Sequence, residues 1–174
     1  MRQLAEVSRI QEFMKRLGAA ARQDARVYFT GGVSAVLIGW RPTTIDIDMS
    51  IVPDRDDLLR AIPALKESLN INVELAAPSH FLPELPGWED RSPFIAREGL
   101  VSFHHYDFYA QALAKIERAH AQDSSDVQAM IASGLVEADR LRDLHARIEP
   151  ELYRYPAVDP KTLRRAIDAA LAGS

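Results

Sequence analysis

Apolar residues recur along this chain with two periods. Between Met1 and about Ala21, the residues Leu4, Val7, Ile10, Met14 and Leu17 fall at helical spacing. They predict an amphipathic helix whose stripe packs on a sheet, with partner binding as the alternative use of the same stripe. Val27-Tyr28-Phe29 is a short β-prone run, and Gly31-Gly32 breaks it with a tight turn. Ser34 to Gly39 reads as a short apolar helix. From Ile45 to Val52 the period changes to two: Ile45, Ile47 and Met49 alternate with Asp46 and Asp48. A strand there puts the apolar side chains on one face and the carboxylates on the other. A turn at Pro53, with Asp54 as N-cap, opens a helix with Leu58, Leu59, Ile62, Leu65 and Leu69 on its buried side. Alternation returns from Asn70 to Leu75, where Ile71, Val73 and Leu75 oppose Asn72 and Glu74.

Pro78, Pro83, Pro86 and Pro93 keep Ala77 to Arg97 irregular. Trp88 and Phe94 are expected to anchor that loop to the core, an aromatic platform for a base being the functional alternative. Leu100 to Phe103 reads as another strand, followed by His104-His105. Paired histidines suggest a metal, but no further His stands at a supporting helical spacing, so a structural or solvated role is expected. From Tyr106 the pattern is helical, with Phe108, Tyr109, Leu113, Ile116, Val127, Met130 and Ile131 at the apolar positions. Asp107 and Asp123 are candidate N-caps. Leu141, Leu144 and Ile148 extend a hairpin after Gly134, and Asp159-Pro160 starts a last helix carrying Leu163, Ile167 and Leu171. The fold class is therefore α/β, of the α+β kind: a small mixed sheet flanked by helices. Residues 1–105 form the core, and residues 106–174 form a C-terminal helical extension packed on it.

The chemistry gathers between Val27 and Val52. Two carboxylates two residues apart on one strand face lie roughly 6–7 Å apart at the backbone. Burying both as ions costs free energy that a divalent cation removes. Two carboxylates together with phosphate oxygens suit Mg²⁺. Gly31-Gly32 at a helix start exposes backbone N–H groups to a phosphate, or simply makes the turn. Ser34 is a phosphate contact or a helix cap. Arg41 is a phosphate partner or a solvated loop residue. Thr44 shapes the loop ahead of the strand.

Gly31-Gly32-Val33-Ser34, a gap of about a dozen residues containing Arg41 and Thr44, and then Asp46-Ile47-Asp48-Met49 resemble the signature of the DNA polymerase β-like nucleotidyltransferase superfamily. Similar proteins include small bacterial nucleotidyltransferase-like domains, among them the toxins of abortive-infection (type IV) toxin–antitoxin systems. The resemblance covers about the first hundred residues and weakens over the helical remainder. It implies a small nucleotidyltransferase sheet and a transfer of a nucleoside monophosphate from a nucleoside triphosphate to an acceptor hydroxyl. Asp46 and Asp48 would be the metal ligands, for Mg²⁺ or Mn²⁺. Glu74, within Val73-Glu74-Leu75, matches the third acidic position, a further ligand or the base; an ordinary exposed strand residue is the alternative. Gly31, Gly32, Ser34, Arg41 and Thr44 would serve the nucleotide. Lys115 matches the toxin-type relatives' lysine that faces the nucleotide, the alternative being that this stretch staples two helices through an Arg118–Asp126 ion pair. Gln122 departs from the pattern, standing where relatives often carry a basic residue. An RNA end, a protein or a small molecule is the implied acceptor, and a cognate antitoxin a further partner. Two rival classes are a catalytically silent fold acting as a binding partner and an antibiotic-adenylylating enzyme. The second usually carries Gly-Ser in place of this chain's Gly-Gly.

Composition narrows this picture. With 174 residues, 47% hydrophobic and 26% charged, the chain can bury a core as one domain with an extension. A formal net charge of -4 argues against a broad nucleic-acid surface, though not against a local nucleotide site. The absence of cysteine excludes disulfides and thiolate metal sites. No run approaches the ~20 apolar residues of a membrane span, and Glu6, Arg9, Glu12, Lys15 and Arg16 interrupt any signal-like segment at the start. The expected location is the cytoplasm, with no membrane partner.

Overall fold

The computed structural model describes residues Met1–Ser174. They divide into two compact units, one of residues 1–77 and 92–106, the other of residues 78–91 and 107–174. No helix is long and apolar enough to cross a membrane.

The first unit holds a five-stranded mixed sheet and three helices. Its elements are α1 (Val7–Ala20), β1 (Ala25–Thr30), α2 (Gly32–Ile38), β2 (Asp46–Val52), α3 (Asp56–Leu69), β3 (Asn72–Leu75), β4 (Phe94–Glu98) and β5 (Val101–His105). The strand order is β3-β2-β1-β5-β4. β2 runs antiparallel to β1 and parallel to β3, while β5 runs parallel to β1 and antiparallel to β4. This is the mixed α+β sheet that the two alternating strands predict.

One face of the sheet is apolar and covered. Val27 and Phe29 of β1, Ile47, Met49 and Ile51 of β2, Val73 of β3, and Val101 and Phe103 of β5 belong to one buried cluster. Ile10, Phe13, Met14 and Leu17 of α1 join it, with Leu58, Ile62 and Leu65 of α3. Of the predicted stripe, Ile10, Met14 and Leu17 are thus core, while Val7 and Leu4, which precedes the helix, are exposed. The approach is close enough to need glycine at one point: a Cβ on Gly18 would lie 2.3 Å from the carbonyl oxygen of Glu98. Because Cβ direction alternates along a strand, Asp46 and Asp48 are left on the opposite face.

Three local expectations change. Phe94–Glu98 is a strand within the stretch expected to be irregular, and Phe94 is 61% exposed instead of anchoring the loop. Along this edge strand Ile95 and Ala96 are half-buried and packed on the core while Phe94 and Arg97 are exposed, so burial does not alternate and the pattern is silent. Trp88 alone is buried as expected. Arg55, not Asp54, holds the N-cap position of α3. Asp57, in the first turn, instead accepts a 2.6 Å hydrogen bond from the amide of Arg22.

The second unit is helical: α4 (Phe108–Arg118), α5 (Ala121–Ala132), α6 (Ala138–Ile148) and α7 (Pro160–Leu171), with 3-10 turns at Pro78–His80 and Glu149–Arg154. Leu113, Ile116, Val127, Met130, Leu141, Leu144, Leu163 and Ile167 are buried, as their spacing predicts. Asp107 caps α4 by accepting from the amide of Tyr109, and Asp159 caps α7 through Thr162. His120, not Asp123, takes the N-cap position of α5, and Asp123 sits buried in the helix's first turn.

Candidate active site

The carboxylates come together through strand register. In the parallel β2–β3 ladder, Asp46 stands opposite Asn72 and Asp48 opposite Glu74. Partners in register share a face, so all four side chains leave the sheet on the same side. Carboxylate oxygens of Asp46, Asp48 and Glu74 all lie within 4.8 Å of one another. Asp46 and Asp48 are half-buried, and Glu74 is exposed. Three like charges at that separation repel, and a cation placed among them relieves the repulsion. An all-oxygen, all-anionic donor set is that of a hard divalent ion such as Mg²⁺ or Mn²⁺.

Asn72 is a member that sequence reasoning passed over. Its Nδ2 donates to Oδ1 of Asp46 at 2.6 Å and to Oε1 of Glu74 at 3.1 Å. The only signal available in the sequence was its place two residues before Glu74, on the same strand face.

The glycine turn abuts this cluster. β1 ends at Thr30, which is in register with Asp48. Gly31 then takes φ 68° and ψ -137°, a conformation open essentially to glycine alone. A Cβ on Gly31 would stand 2.9 Å from Oδ2 of Asp48. The next residue, Gly32, is equally confined: its Cβ would meet Oγ1 of Thr44 at 2.1 Å and Nη1 of Arg41 at 3.2 Å. Arg41 and Thr44 therefore lean on the turn that touches Asp48. Thr44 is held there from two sides. Its backbone pairs with Ala5, and its hydroxyl donates to the carbonyl of Asp46 at 3.1 Å.

Two other candidates have internal partners. Ser34 is fully buried; its hydroxyl donates to the carbonyl of Phe29 at 3.2 Å and lies 2.9 Å from Nδ1 of His105. It ties the first turn of α2 to β1 and β5. His105 is 5% exposed, and burial, aided by His104, pushes its imidazole down to about 4. His104 stacks on Tyr28 and is likewise lowered, chiefly by burial. Neither histidine belongs to the carboxylate cluster.

Lys115 lies in the helical unit, buried, with Nζ 2.8 Å from Asp126 and 3.3 Å from Asp123. Arg118 binds Asp123 with two donors, at 2.8 and 2.6 Å. A staple between α4 and α5 does exist, but Arg118 takes Asp123, and it is Lys115 that pairs with Asp126. Burial pushes the Asp123 carboxyl upward, but Arg118 and Lys115 outweigh it and hold it below the usual range.

Against known proteins, no curated protein and no solved structure matches the chain. A family model does match, over residues 5–159, and its description is "Nucleotidyltransferase of unknown function (DUF6036)". That match spans the glycine turn, the three carboxylates and the helical unit up to the start of α7, and the chain belongs to this family of nucleotidyltransferases.

Proposed function

We propose that this protein is a metal-dependent nucleotidyltransferase that moves a nucleoside monophosphate from a nucleoside triphosphate to an acceptor hydroxyl. The observation that carries the reading is the convergence of Asp46, Asp48 and Glu74 beside a glycine turn whose Gly31 abuts Asp48. Family membership supports the reaction class.

Asp46 and Asp48 would hold Mg²⁺ or Mn²⁺, with Glu74 as a third oxygen donor, and the ion would offset charge on the phosphates and on both the attacking and leaving oxygens. The chain's own groups do the rest. The Gly31-Gly32 turn brings backbone close to the carboxylates with no side chain in the way, leaving room for phosphate oxygens. Arg41, leaning on Gly32, supplies a guanidinium for those oxygens. Glu74, the most exposed of the three acids, can orient an acceptor hydroxyl or take its proton. As the acceptor oxygen bonds to the α-phosphorus, the bond to the β-phosphate oxygen breaks and pyrophosphate leaves. Ser34 and Thr44 act by fixing the turn. The acceptor is an RNA end, a protein hydroxyl or a small molecule. A role as the toxin of a toxin–antitoxin pair is the finer form of the proposal.

The test is transfer of label from each α-³²P nucleoside triphosphate, with Mg²⁺ or Mn²⁺, to RNA and protein acceptors. Labelling by the wild type that is lost in Asp48→Asn is the expected result. Equal labelling by Asp48→Asn would rule out the assignment.

A further inference from the structure

We infer that Asn72 is a positioning residue for the metal-binding carboxylates, an inference that rests on the function proposed above. Its amide nitrogen bridges two of the three acids, Asp46 at 2.6 Å and Glu74 at 3.1 Å. Both N–H groups are thereby used, one on each carboxylate. The bridge is set by backbone register. Asn72 is opposite Asp46 across the β2–β3 ladder and two residues from Glu74 along its own strand. No side-chain rearrangement is needed to bring the three together.

The chemistry of the residue type matters. An uncharged donor lowers the mutual repulsion of Asp46 and Glu74 without adding a charge that competes for the same oxygens. A lysine here would supply a resident cation in place of a divalent ion. An aspartate would add a fourth negative charge. The amide engages Oδ1 of Asp46 and Oε1 of Glu74 and so fixes the plane of each carboxylate, leaving the other oxygen of each acid for the ion. This is the arrangement by which partners of metal ligands set ligand orientation, and their loss typically costs about 10–100-fold in metal affinity. The site is half-exposed on an edge strand, so the same substitution should matter little to folding.

The experiment is Mn²⁺ binding, followed by electron paramagnetic resonance, for the full chain and for the variants Asn72→Leu, Asn72→Ser and Asp48→Ala. The expected result is Asp48-dependent binding in the wild type, weakened about tenfold or more in Asn72→Leu and partly restored in Asn72→Ser, whose hydroxyl can donate one hydrogen bond. Metal-free thermal midpoints of the wild type and Asn72→Leu should agree within a few degrees. A purely structural role would move the midpoint and leave the affinity of the folded protein alone. Wild-type affinity in Asn72→Leu, with binding still Asp48-dependent, would overturn the inference and leave the proposed function standing. No Mn²⁺ binding by the wild type would overturn both. Should Asn72→Leu fold poorly, a cycle of Asn72→Ser with Glu74→Gln decides: coupled losses support the inference, and additive ones overturn it.

Discussion

Asp48 links the carboxylates to the glycine turn: it shares the carboxylate cluster, pairs in register with Glu74, and stands against Gly31. Changing it to asparagine removes one charge of a repelling group without changing its shape. Transfer activity should fall at least a hundredfold while the urea midpoint stays the same or rises, which paired activity and unfolding measurements would check. Gly31→Ala should behave differently. The new Cβ meets the Asp48 carboxylate at 2.9 Å, in a backbone conformation that alanine reaches at a cost of about 1–3 kcal/mol. Both stability and activity should drop, and a midpoint unchanged in urea would show that the turn has relaxed. These residues were legible in the sequence because each carries a visible constraint: alternation for the acids, adjacency for the glycines. Asn72 was not. Its meaning lies in which residue stands opposite it on the neighbouring strand, and a sequence read strand by strand does not contain that pairing.

At the scale of elements, β1, α2 and β5 are tied by a buried polar link. His105 enters it from the end of β5, Ser34 from α2, and the carbonyl of Phe29 from β1. The histidine is lowered from an ordinary value of 6.5 to about 4, so the folded protein keeps it neutral while the unfolded chain protonates it below about pH 6.5. Between those values the unfolded state binds more protons, and stability must fall as pH falls. The contribution amounts to about 3 kcal/mol over the window. His105→Asn should therefore flatten the decline seen by urea unfolding between pH 7 and 4.5; an unchanged slope would remove His105 as its source. A second polar link joins α4 and α5. Lys115 is 5% exposed, Asp123 1% and Asp126 0%. Lys115→Met would leave Asp126 buried without the lysine's charge, which should cost about 3–5 kcal/mol in a denaturant titration. Neither link was fully readable. The spacing of Lys115, Arg118, Asp123 and Asp126 announces ion pairs, but which cation meets which acid depends on how two helices pack. For His105 the sequence leaves a structural and a solvated role open, because burial at a strand's end leaves no periodic mark.

On the scale of the molecule, the sheet and its surrounding helices followed from two hydrophobic periods, and the fold class with them. β4 escaped because burial along this edge strand does not alternate. Net charge bears on the proposal: at -4, a site for phosphates would have to concentrate its cations locally instead of spreading them over a surface. Family membership and site geometry both support the proposal that a nucleoside triphosphate binds at the carboxylates together with a metal ion. Calorimetric titration of each of the four nucleoside triphosphates, with and without Mg²⁺, into the wild type and Asp48→Ala tests it most directly. The account predicts that at least one nucleotide binds the wild type only with Mg²⁺ and fails to bind Asp48→Ala. Absence of binding to the wild type by all four, or binding indifferent to both Mg²⁺ and Asp48, would contradict it.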